Sequence, residues 1–294
     1  VRDFRWPPPP DGGPRTYGPG PSAPRTGRPA LPEPATEIVT TPHGVRLERL
    51  VTGSGRPVTV FAHGFGSGIA TTRPLGSAVT GGKVFFQFRG HGRSGAPPGP
   101  WTYRDLARDL RAIADLSGAG RAVGVSLGAG ALGRLLTESP ERFERVVFFL
   151  PAVLDEARPA ASTERLHHLL DAVGAGDISA VADVLSAEIP PAVRNTPASW
   201  AYLRQRIDQL MRDGLAPELA DLPGEVAIPD RAVLSRVTAR ALVIGCVGDD
   251  LHPVAAAEAL AAALPKAELH VYDRPGVFWT NRADLRERIS TFLN

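Results

Sequence analysis

Gly124-Val125-Ser126-Leu127-Gly128 places a serine with glycine two positions to either side, between the apolar run Arg121 to Val125 and an Ala/Leu-rich stretch beginning at Ala129. In a strand–turn–helix context this G-x-S-x-G spacing exposes the hydroxyl above the strand end. The following helix N-terminus favours negative charge there, which is what a nucleophilic serine needs. The plainer reading is a serine N-cap in a glycine-rich turn. Upstream, Phe61-Ala62-His63-Gly64-Phe65-Gly66 ends another apolar run in a loop whose glycines let backbone N–H groups face a substrate. The N–H groups of Phe65 and Leu127 are the expected oxyanion donors, since acyl transfer needs donors aimed where the oxyanion forms. A simple glycine turn after a strand is the alternative.

Two further segments complete a set. Arg89-Gly90-His91-Gly92-Arg93-Ser94-Gly95 follows a third apolar run, and Gly248-Asp249-Asp250-Leu251-His252-Pro253 follows a late one. With His63-Gly64-Phe65-Gly66 and Gly124 to Gly128 they fall in the order found in the α/β-hydrolase superfamily. The chain from about Glu37 to Asn294 resembles its esterase-like branch with a helical cap. One turn residue departs: Gln87 stands two before Arg89, where the family usually has an acid.

The resemblance implies a nucleophile, acid and histidine in that chain order. It assigns the acid to Asp249, by its spacing to Pro253, and leaves Asp250 as a solvated loop residue. The histidine should follow the last strand in a Pro-Gly-His sequence, but Asp273-Arg274-Pro275-Gly276-Val277-Phe278-Trp279 has Val277 there. The expected triad is therefore degenerate. If the backbone follows the family, Val277→His should point an imidazole between Ser126 and Asp249. Among the seven histidines, His252 is the best substitute base because it shares the loop of Asp249; its plain role is a loop histidine beside Pro253. His63 and His91 belong to glycine turns, His270 to the last strand, and His43, His167 and His168 to expected surface positions. No spacing such as H-E-x-x-H suggests a metal site.

Positioning these residues requires a parallel sheet. β-rich runs at 45–51, 58–63, 83–88, 121–125, 145–150, 239–247 and 268–272 alternate with helical stretches at 103–116, 129–138, 254–264 and 281–293. This is the pattern of α/β proteins, and the near-continuous apolar strands imply a sheet covered on both faces. Between 151 and 228 the alternation gives way to amphipathic stretches at 163–173, 178–186 and 198–213. The expected organisation is a Pro/Gly-rich arm at 1–36, a hydrolase core at 37–150 and 229–294, and an inserted helical cap at 151–228.

The 294 residues are 43% hydrophobic and 22% charged, enough to bury a full core. The basic residues are nearly all arginine, Lys83 and Lys266 being the two lysines, and they are spread along the chain. A nucleic-acid groove or anionic membrane surface would need them clustered, so neither partner is expected. Single Cys246 excludes an intramolecular disulfide, and Val146 to Leu154, the longest apolar run, is too short to span a bilayer. The expectation is a cytosolic protein with no cofactor, acting on a small molecule. Trp101, Leu251, Phe278 and Trp279 should line an apolar pocket, suited to a neutral, partly apolar ester, lactone or thioester. A ligand-binding protein without turnover and a lyase or cyclase on the same fold are the alternatives.

Overall fold

Strands made of Val, Phe, Ile and Ala without polar alternation cannot leave either face to water. In the structure, a computed structural model describing residues 35–294, they build one eight-stranded sheet. Its strands are β1 (Glu37–Thr40), β2 (Arg46–Thr52), β3 (Val58–Ala62), β4 (Gly82–Phe86), β5 (Arg121–Val125), β6 (Arg145–Phe149), β7 (Arg240–Cys246) and β8 (Ala267–Tyr272), in the spatial order β1-β2-β4-β3-β5-β6-β7-β8. β2 pairs antiparallel with β1 and β4, and every other pairing is parallel. The chain has the α/β-hydrolase fold. The arm expected at 1–36 lies, but for its last two residues, outside the described residues.

Alternation along each strand sends neighbours to opposite faces. Val60, Ala62, Val84, Phe86, Val146 and Phe148 pack on one side; Phe61, Phe85, Val123, Val147, Phe149 and Ile244 pack on the other. The helices are α1 (Ile69–Thr72), α2 (Tyr103–Ser117), α3 (Leu127–Glu138), α4 (Ala160–Ala175), α5 (Ile178–Ser186), α6 (Pro197–Asp213), α7 (Val254–Ala263), α8 (Val277–Thr280) and α9 (Arg282–Leu293). Leu106, Leu110 and Ile113 of α2, Leu132 and Leu135 of α3 and Leu260 of α7 cover the first face. Leu285, Ile289 and Leu293 of α9 cover the second. α2 starts in a capping box in which the Thr102 backbone N–H donates to Asp105, and it stops at Gly118 in the left-handed region.

Between β6 and β7 the chain leaves the sheet for α4, α5 and α6, which enclose an apolar cluster of their own including Leu169, Val181, Leu185, Leu203, Ile207 and Leu210. β1 is not evident in the sequence: it has four residues at the sheet edge, so no apolar run marks it. No helix among the described residues is long and apolar enough to cross a membrane.

Parallel strands deliver their following loops to one edge, and the candidate motifs gather there. The Arg89 turn is fixed to α2 by a buried ion pair. Arg89 Nε donates to Asp109 Oδ2 at 2.8 Å and Nη2 to Asp109 Oδ1 at 2.7 Å. His43 adds a hydrogen bond at 2.9 Å, so this histidine, expected at the surface, is bound to a carboxylate with no exposure of its own.

Candidate active site

Ser126 sits at φ 50°, ψ −108°, between the last residue of β5 and the first of α3. A non-glycine residue rarely occupies that region, and the tight turn imposes it. Both flanking glycines are required by contact. A Cβ on Gly124 would meet the Gly128 carbonyl oxygen at 2.5 Å, and one on Gly128 would meet that of Ala62 at 2.4 Å. The turn thus presses against the end of β3, beside the Phe65 loop.

The loop after β7 closes on itself around Asp249, whose Oδ1 accepts the backbone N–H of Leu251 at 3.0 Å and of His252 at 3.1 Å. Its Oδ2 meets His252 Nδ1 at 2.9 Å, and His252 Nε2 meets Ser126 Oγ at 2.9 Å. A carboxylate can only accept, so Nδ1 carries the proton and Nε2 is left to accept from the serine hydroxyl. Burial alone would raise the Asp249 carboxyl, but the hydrogen bond and charge of His252 and the two backbone N–H groups hold it below the ordinary carboxylate range. A hydroxyl so placed can lose its proton to the imidazole as it attacks an acyl carbon.

Position 277, where a histidine was expected, is handled differently. Val277 opens α8 and is 2% exposed, packed in the apolar cluster with Phe149 and Leu285. The space between Ser126 and Asp249 is taken by His252, three residues beyond the acid on the same loop. No histidine stands at 277, and His252, offered by the sequence as a substitute base and more plainly as a loop histidine, is the imidazole hydrogen-bonded to both Asp249 and Ser126. Asp250 has an exposed side chain, and its carbonyl accepts the Ser162 hydroxyl of α4 at 2.7 Å, tying the loop to the cap.

Two other histidines brace the loop carrying Phe65. His63 Nδ1 donates to the Gly64 carbonyl at 2.7 Å while Nε2 accepts the Phe88 N–H at 3.0 Å. His91 Nδ1 donates to the Arg89 carbonyl at 3.1 Å while Nε2 accepts the Gly66 N–H at 3.2 Å. Each ring donates once and accepts once, which requires the neutral form. Burial is the main cause that holds His63 well below its ordinary pKa and His91 down to about 4. Leu127 is the first residue of α3, so its N–H has no acceptor within the helix. Leu127 and Phe65 line the same space.

That space is a cavity of about 1000 Å³ between the sheet edge and the cap. Phe65, Leu127, Leu251, Phe278 and Trp279 line it along with the three hydrogen-bonded residues, and Val277 borders it. Trp101 does not. It is 2% exposed, packed under Gly90 with its Nε1 donating to the Pro97 carbonyl at 3.0 Å, so the aromatic residue expected in the pocket is a core residue. The cap contributes lining groups that sequence reasoning passed over, among them Tyr202, Arg206, Glu188 and Gln209. Arg206 had a visible signal: it falls on the buried stripe of α6 with Leu203, Ile207 and Leu210. Among the described residues no cluster of His, Cys, Asp and Glu could hold a metal ion.

A family model described as the alpha/beta hydrolase family matches residues 9–287. The chain belongs to the α/β-hydrolase family. It is 29% identical over 234 residues to "Putative carbamate hydrolase RutD" of Caulobacter segnis, covering 73% of this chain and 82% of that one. Among solved structures it resembles a hydrolase from Pseudomonas aeruginosa (TM-score 0.69, 24% identity, 88% of this chain and 98% of that one). It also resembles the enol-lactonase from Burkholderia xenovorans (TM-score 0.72, 21% identity, 87% and 99%). At these identities the solved structures show a shared fold.

Proposed function

We propose that this α/β-hydrolase cleaves an ester-type bond through Ser126, with His252 as general base and Asp249 as its orienting acid. The observation that carries the reading is the unbroken chain Asp249 Oδ2, His252 Nδ1, His252 Nε2, Ser126 Oγ, with both hydrogen bonds at 2.9 Å. Ser126 attacks the acyl carbon while His252 Nε2 takes its proton, and the tetrahedral oxyanion is held by the backbone N–H groups of Phe65 and Leu127. The imidazolium then protonates the leaving group. An attacking water, deprotonated by the same nitrogen, releases the acid from the acyl-serine. Asp249 stabilises the imidazolium throughout without itself being protonated.

The named relatives act, by their printed names, on a carbamate and an enol-lactone. Both have a carbonyl bonded to a heteroatom that leaves, which supports an ester, lactone or carbamate as the substrate class here. A test compares the wild type with Ser126→Ala, His252→Ala and the double variant on an activated aryl ester. Groups acting as a unit are non-additive, so each single change should remove roughly 10³-fold or more of kcat and the double variant should lose little further. A fluorophosphonate should label the wild type at Ser126 and label His252→Ala at a small fraction of that rate. Labelling unaffected by His252→Ala would assign the base elsewhere, and turnover that survives Ser126→Ala would remove the serine mechanism.

A further inference from the structure

Arg206 is a charged residue in a position built for an apolar one. It lies on the α6 stripe that buries Leu203, Ile207 and Leu210, and its exposure is 5%. A guanidinium taken out of water carries a desolvation cost of several kcal/mol unless an anion or a full set of acceptors replaces the water. Here neither does. No carboxylate of the described residues lies within 4.0 Å of it, whereas Arg89, buried to the same degree, is clamped by Asp105 and Asp109. Arg206 Nε and Nη1 have no hydrogen-bond partner. The residue nevertheless forms part of the wall of the cavity that holds Ser126 and His252.

Its charge is also felt on the oxyanion side of the site. It disfavours protonation of His63 and His91, the two rings that brace the Phe65 loop. Glu188, on the cap segment after α5, borders the same cavity and senses both Arg206 and His252, without forming an ion pair with either. A guanidinium in the wall of a reaction cavity, with two of its nitrogens unpaired and no carboxylate in ion-pair contact, is suited to an anion that arrives with the substrate.

We infer that Arg206 binds a carboxylate carried by the substrate, so that the preferred substrates are ester-type compounds bearing a negative charge rather than neutral ones. This rests on the hydrolase reading above and replaces the neutral compound suggested by the sequence with a charged one. A single guanidinium facing a cavity that also holds Glu188 and Asp249 suits a singly charged carboxylate better than a phosphate, which would need further cations.

The test uses matched pairs that differ only in the charge. 3-Acetoxybenzoate against 3-acetoxybenzamide places the charge on the leaving alcohol, and the monophenyl ester of adipic acid against its terminal amide places it on the acyl chain. In the wild type the acid of at least one pair should exceed its amide by about 30-fold in kcat/KM, the scale on which truncating one partner of a buried charge pair acts. Arg206→Gln should bring the acid-to-amide ratio of kcat/KM down to about one, and Arg206→Lys should restore part of the preference. Calorimetric binding of the intact acids and amides to Ser126→Ala needs no turnover. If the wild type hydrolyses none of the four compounds but Ser126→Ala still binds an acid far more tightly, the hydrolase reading fails and the anion site stands. Equal kcat/KM and equal binding within both pairs in proteins that retain Arg206 overturn the proposal, whether or not Arg206→Gln folds.

Discussion

Ser126, His252 and Asp249 are drawn from two loops, not three, because acid and base share one turn. In the proposed chemistry the base therefore does not depend on residue 277, and substitutions there should behave accordingly. Val277→His, expected from the sequence to complete a triad, should leave ester hydrolysis within about twofold of wild type. It should also cost roughly 1–3 kcal/mol of stability, because an imidazole would be buried in the cluster of Phe149 and Leu285 with few acceptors. Steady-state kinetics and urea unfolding check both parts; a large gain in activity would mean that His252 is not the working base. The serine, its turn and Asp249 are legible in the sequence because their signals are local: glycines two residues away and an acid after a strand. His252 is less so, since its role depends on a contact across 126 positions of chain. Trp101 misleads for the same reason, as an aromatic residue near a motif packs beneath it as readily as it lines a pocket.

At the level of elements, the site is held by what lies behind it. The β3 loop and the Arg89 turn are joined by two buried, neutral histidines, and this makes the fold sensitive to acid. His91 titrates at 6.5 when unfolded and at about 4 when folded, so the unfolded chain binds the extra proton between those values. Its contribution is complete above the unfolded pKa and is lost as pH falls through 6.5 toward 4. By pH 5 the loss from His91 alone is about 2 kcal/mol, and His63, shifted the same way, steepens it. Denaturant midpoints measured from pH 7.5 to 5 should fall accordingly, and His91→Gln should flatten the dependence. The elbow makes a second prediction. Gly128→Ala drives a Cβ to 2.4 Å from the Ala62 carbonyl, a backbone atom that cannot step aside, and should destabilise by roughly 1–3 kcal/mol or more. Thermal unfolding measures this; an unchanged melting temperature would show that α3 can slide away from β3. Strands and major helices were readable to within a few residues because their apolar periods are long. The four-residue β1, α1 and α8 were not, because they carry too few residues to show a period.

For the whole molecule, the proposed chemistry finishes early. His252 is followed by α7, β8, α8 and α9, which supply no member of the proposed triad and no proposed oxyanion donor. Their part is architectural: β8 completes the sheet edge, and Leu285, Ile289 and Leu293 seal the second face. Residues that line the cavity from this stretch, such as Phe278 and Trp279, shape it without joining the hydrogen-bonded chain. A saturation-mutagenesis map scored once for cellular abundance and once for ester turnover should separate the two halves of the protein. At Ser126, Asp249 and His252 the two scores should diverge sharply, while from β8 onward they should run in parallel, cavity-lining positions aside. Divergence at Val277 as deep as that at His252 would count against the arrangement proposed. If the base does sit on the loop of the acid, as proposed, selection on β8, α8 and α9 acts through packing and not chemistry, so lineages sharing this arrangement should tolerate drift there that a chain keeping its histidine after β8 would not survive.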